Sequence, residues 1–165
     1  MSPEEIYSVA RSVGFPPEVA TSMVAIAWRE SGGNPNAFNG KPPDMSYGLW
    51  QINMLGSLGP ARRAQFGLSS NEELFDPYTN ARAAYAIWNG DNANLARHWY
   101  IDRGVYRDRY NQFLPMAQDA AAAVEGIDAP GIQFLDDGGM LPGGDSTLLV
   151  GGGLLLLALL FVMSD

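Results

Sequence analysis

The chain has 165 residues, enough for one modest domain and an appendage. It is 47% hydrophobic, so it is not disordered as a whole, and it has no cysteine, which excludes a disulfide framework, a zinc-thiolate site and a cysteine nucleophile. A single histidine, His98, excludes a multi-histidine metal site and argues against a Ser-His-Asp triad, while a net charge of -8 argues against nucleic-acid binding.

The charge is unevenly placed. Every Lys and Arg lies at or before Arg109, and seven acids follow it: Asp119, Glu125, Asp128, Asp136, Asp137, Asp145 and Asp165. Residues 1–115 are close to neutral, with eleven acids against ten bases. The C-terminal stretch is therefore a different material from the rest of the chain.

Met1-Ser-Pro-Glu-Glu-Ile6 carries acids where a secretory leader needs bases, and no apolar run follows, so no signal peptide is expected. Ser2 reads instead as an N-cap, with Pro3 at the first helical position and Glu4 and Glu5 in the first turn. Ile6, Val9, Ala10 and Val13 recur at helical spacing, and Gly14 supplies a stop. Pro17 and Glu18 open a second helix, apolar through Val24, Ile26 and Trp28, which closes at Glu30-Ser-Gly-Gly33. Residues 32–48 are rich in Gly, Pro and Asn and predict an ordered loop. Tyr47-Gly-Leu-Trp-Gln-Ile-Asn53 predicts a short strand or a buried turn.

Short helices are expected over 60–66 and 70–75. Asp76-Pro77 caps a clear one with Ala81, Ala84, Tyr85, Ile87 and Trp88 on its apolar face, ended by Asn89-Gly90. Further helices are expected from Leu95 to about Asp102, and from Gly104 to Ala123 with a kink at Pro115. The result is an almost purely helical domain over residues 1–125 with no internal repeat. Residues 126–146 hold six glycines, Pro130, Pro142 and four aspartates, and predict a flexible acidic linker. Residues 147–163 carry no charge at all. As a helix they would be ~25 Å long, slightly short of a ~30 Å hydrocarbon core, and the lack of any polar face favours a transmembrane or membrane-inserting segment over a core helix. Gly151-Gly152-Gly153 weakens that helix, and neither flank has Lys or Arg to set its orientation.

The chemistry concentrates near Glu30. A carboxyl at a helix C-terminus, beside Ile26 and Ala27, meets the negative end of the helix dipole and apolar surroundings, and both disfavour ionisation. That is what a general acid needs at neutral pH. The plainer reading is a surface Glu paired with Arg29. Around it lies an ordered series: Glu30-Ser31, Asn34-Pro35, Tyr47-Gly48-Leu49-Trp50-Gln51-Ile52-Asn53 and Leu74-Phe75-Asp76-Pro77-x-x-Asn80. This series resembles the lysozyme-like lytic transglycosylases of the soluble-lytic type, well over residues 17–90 and loosely over 91–115.

The resemblance implies a mainly α, lysozyme-like fold, Glu30 as the catalytic acid, and peptidoglycan as substrate. Ser31, Asn34, Tyr47, Gly48, Gln51, Asn53 and Trp88 are the expected substrate-binding residues. Gly48 would let backbone approach a sugar, and Gln51 and Asn53 offer donors and acceptors to hydroxyl and acetamido groups. Trp50, Tyr85, Trp88 and Trp99 suit sugar faces or the core, and His98 reads as structural or surface.

The chain departs from the family pattern in three places. Asn39 stands where the family has Ser nine residues after the acid, the later Ala-Tyr-Asn-Ala-Gly segment is not recognisable, and Trp50 replaces the usual Met. The Tyr47–Asn53 segment is also similar to true lysozymes, which keeps hydrolysis open. Hydrolysis normally needs a second carboxylate, for which Asp44 and Asp91 are the loop candidates, whereas the transglycosylase uses one Glu and the substrate's own acetamido group. No cofactor and no metal are expected. The expected partners are glycan strands, a membrane through the C-terminal segment and other virion proteins, because a wall enzyme without a leader suits a phage particle that carries it to the host envelope. The rival class is a non-catalytic, glycan-binding structural virion protein.

Overall fold

The computed structural model describes residues 1–126, which form six α-helices, a 3₁₀ turn and a small antiparallel sheet. The element order is α1 (Pro3–Ser12), α2 (Pro17–Ser31), β1 (Phe38–Asn39), β2 (Ser46–Tyr47), β3 (Ile52–Asn53), α3 (Leu58–Phe66), the 3₁₀ turn (Glu72–Phe75), α4 (Pro77–Gly90), α5 (Leu95–Trp99) and α6 (Gly104–Glu125). The helices begin and end where local chemistry directs. Ser2 and Glu5 form a reciprocal capping box on α1, worth about 1 kcal/mol. Asp76 Oδ1 accepts the Thr79 N–H at 2.8 Å to open α4.

The sheet was not foreseen as a sheet. Phe38 pairs with Tyr47 and Asn39 with Ser46, and Ser46 and Tyr47 pair in turn with Asn53 and Ile52. The segment 47–53 is therefore both of its expected forms at once: two strand ends joined by the turn 48–51. α6 runs unbroken from Gly104 to Glu125, with Pro115 inside it.

α1, α2 and α6 pack together on one side of the domain. Tyr7 of α1 donates to Glu125 Oε1 at 2.8 Å, and Arg11 Nε donates to the same oxygen at 2.9 Å, fastening the end of α6 to α1. Burial and the adjacent carboxylate push the Tyr7 phenol up to about 12, while the Tyr7 and Arg11 hydrogen bonds hold Glu125 below the usual carboxyl range. The core runs on through Phe15, Met23, Ile26, Leu49 and Trp50, all fully buried. Trp50 links three elements: its indole N–H donates to Met23 O of α2 at 2.8 Å, and its own carbonyl accepts the Trp99 indole N–H from α5 at 3.1 Å.

Among the described residues, no helix is long and apolar enough to cross a membrane. The expected transmembrane segment 147–163 lies outside the described residues, as does the linker from residue 127 onward.

Candidate active site

Glu30 occupies the last turn of α2, and Gly32 ends the helix just beyond it. Gly32 has φ 64, a left-handed cap that glycine adopts without steric cost, and its N–H returns to Trp28 O at 3.0 Å. The chain therefore leaves the helix immediately after the acid, and the acid looks into an open cleft of about 540 Å³. Its walls come from the end of α2, the sheet and its turn, α3, α5 and the start of α6.

Glu30 is held by its sequence neighbour. Arg29 Nη2 donates to Glu30 Oε1 at 2.5 Å, and the same guanidinium donates to Trp99 O at 2.6 Å and Tyr106 O at 3.2 Å. The Arg29 side chain is only 3% exposed, whereas that of Glu30 is 26% exposed. Arg29 thus ties α2 to the end of α5 and the start of α6. Glu30 Oε2 has no hydrogen-bond partner among the described residues.

A second carboxyl, Asp44, lines the same cleft. It is fastened to the sheet: Asn39 Nδ2 donates to Oδ2 at 2.9 Å, and the buried Ser46 hydroxyl donates to Oδ1. Asp91 does not line the cleft and faces Arg97 and His98 instead.

Of the expected substrate-binding residues, Gln51 and Asn53 line the cleft. Gln51 has φ 47, a left-handed conformation uncommon for a non-glycine residue, and its Nε2 donates to Gly48 O at 2.9 Å and Ala37 O at 3.2 Å. Asn53 Oδ1 accepts the Leu55 N–H at 2.8 Å.

Ser31, Asn34, Tyr47, Gly48 and Trp88 do not line the cleft. Ser31 Oγ bonds back to Ala27 O within α2, and Asn34 Oδ1 accepts the Asn36 N–H as a local turn. Tyr47 is buried between Phe38 and Phe75. Gly48 has φ 76, and a Cβ there would lie 2.3 Å from both Asn80 Nδ2 and Leu74 O. The close approach that requires glycine is to its own protein, not to a sugar. Trp88 is buried against Phe15 and Tyr85, because the face of α4 that carries it packs toward α1.

Sequence reasoning missed the rim of the cleft. Tyr100 and Tyr106 line it with rings 5.7 Å apart, 42% and 50% exposed. Tyr100, like Gln51, holds a left-handed φ (49), and such strain in cleft-lining residues is typical of functional sites. Arg62 and His98 also line the cleft. Nothing in the neighbourhood of His98 along the chain points to α3, so its sequence context suggests only a structural or surface histidine.

A carboxyl at a helix end, facing a small antiparallel sheet across an open cleft in an otherwise helical domain, defines a lysozyme-like fold. Residues 7–107 match a family described as a lysozyme-like domain, and the chain belongs to that family. Membership supports a peptidoglycan-lytic enzyme in general terms. No curated protein and no solved structure matches the chain.

Proposed function

We propose that the protein is a lytic transglycosylase that cleaves the β-1,4 bond between N-acetylmuramic acid and N-acetylglucosamine in peptidoglycan. The observation that carries the reading is Glu30, with one oxygen held by Arg29 and the other unpartnered in the cleft. The unpartnered oxygen takes up a proton and delivers it to the glycosidic oxygen. The substrate's acetamido group stabilises the developing cation, and the resulting carboxylate then removes the proton of the 6-hydroxyl to close a 1,6-anhydro ring. Gln51 and Asn53 supply amide groups to the strand, and Tyr100 and Tyr106 supply faces for sugar rings.

The second reading is a muramidase, favoured by Asp44 in the same cleft, which could serve as nucleophile or as base for water. It ranks second because both Asp44 oxygens already accept hydrogen bonds from the sheet. Glu30→Gln should fold normally and lose wall lysis by about 100-fold or more, since the amide supplies no acidic proton. Substantial lysis by the folded variant would remove Glu30 from the mechanism. Mass spectrometry of released muropeptides separates the two reactions: anhydro ends support the transglycosylase, and products heavier by one water, abolished by Asp44→Asn, support the muramidase. Attachment to a membrane through the uncharged run 147–163 belongs to the same proposal and is tested by flotation of the full chain with liposomes.

A further inference from the structure

Arg62 is a half-buried cation in the cleft that faces no acid at short range. Its Nη1 donates to the backbone carbonyl of Asn53, and its Nη2 lies 3.3 Å from His98 Nε2. Among the described residues no carboxylate oxygen comes within 4.0 Å of its guanidinium. Asp91 lies beyond the imidazole, with Oδ2 at 3.7 Å from His98 Nε2, and it also faces Arg97 at 3.4 Å. Burial and the neighbouring Arg62 charge hold His98 below its usual range, so at neutral pH the imidazole is uncharged and accepts from Arg62. The guanidinium is therefore oriented by two neutral acceptors while three of its five N–H donors remain. Burial also pulls Arg62 itself below the usual arginine range, the mark of a cation only partly compensated. Arg29, whose side chain is buried, is by contrast paired with Glu30.

We infer that Arg62, oriented by His98, binds a carboxylate on the glycan strand and makes the enzyme selective for acidic, muramic-acid-bearing strands over neutral N-acetylglucosamine polymers. The inference rests on the glycan-cleaving reading above. Two groups have the required chemistry: the lactyl carboxylate, exposed where the stem peptide has been removed, and a carboxylate within the stem peptide. Either meets a planar fork suited to bidentate contact, which a lysine would replace only with a point charge.

Equilibrium binding to full-length Glu30→Gln protein, which does not turn over its ligand, tests this. Three tetrasaccharides serve as probes: peptide-free muramic acid–N-acetylglucosamine, the same strand with stem peptides attached, and chitotetraose. At least one acidic strand should bind about tenfold more tightly than chitotetraose, with the advantage shrinking as salt is raised. Preference for the peptide-free strand assigns the lactyl group, and preference for the peptide-bearing strand alone assigns the peptide. Adding Arg62→Gln should erase the advantage and leave chitotetraose binding within about twofold, which also verifies the fold, while Arg62→Lys should restore part of it. Equal affinity for acidic and neutral strands, or an equal loss on both in Arg62→Gln, overturns the anion site and spares the glycan reading. Failure of all three strands to bind overturns the glycan reading and the anion site with it.

Discussion

Asn80 is the residue on which the geometry of the cleft wall depends. It is completely buried at the start of α4. Its Oδ1 accepts the Trp50 N–H at 3.0 Å, and its Nδ2 donates to Tyr47 O at 2.9 Å and Leu74 O at 2.8 Å. One amide thus binds the turn that carries Gln51 to α4 and to the 3₁₀ turn. Asn80→Ala would remove a hydrogen-bond partner from one buried N–H and two carbonyls, besides leaving a cavity. At about 1–3 kcal/mol for each unsatisfied group, and with some relaxation, the loss should be about 4 kcal/mol, a large part of a total stability of about 5–15 kcal/mol. The midpoint of thermal unfolding should fall by on the order of 10–20 °C. Asn80→Asp is the sharper variant, because it keeps the shape but turns two donor bonds into oxygen facing carbonyl oxygen. Urea denaturation followed by near-UV circular dichroism measures both. If Asn80→Asp is within about 1 kcal/mol of wild type, the three bonds do not hold the turn and the reasoning is wrong.

Two further perturbations test the same frame. Gly48→Ala should cost about 2–4 kcal/mol in urea unfolding, since the methyl would meet Asn80 and Leu74 O while the backbone stays at φ 76; an unchanged midpoint would mean that the turn has room. Glu125 is held below the ordinary carboxyl value of 4.5, so its contribution to stability is complete above that value and is lost as pH falls below it. Tyr7→Phe removes one cause of that shift, and the acid-side loss of stability should become shallower in the variant when unfolding is measured from neutral to strongly acidic pH; a slope identical to wild type would show that the phenol does not hold Glu125.

Much of this protein was legible in residue order because much of it is decided locally. The capping box of Ser2 and Glu5, the Asp76 cap and the Gly32 stop each act within one turn of helix, so spacing alone locates α1, the start of α4 and the end of α2. The motif around Glu30 likewise placed an acid at a helix end and singled out Gln51 and Asn53, which the fold brings to the same cleft.

Direction across the fold was another matter. Gly48 and Asn80 appear in the sequence as separate motif letters, yet each explains the other, since the absent Cβ at 48 makes the room that the Asn80 amide fills. Trp88 sits on an apolar helical face whether that face meets a sugar or Phe15, and only the packing of α4 chooses. Arg62 and His98 lie 36 residues apart and meet because α3 and α5 converge on one cleft. Helical and strand periods report on contacts within a few residues, whereas a cleft built from many separate segments exists only after they have packed, so its charge and its rim were decided by tertiary structure alone.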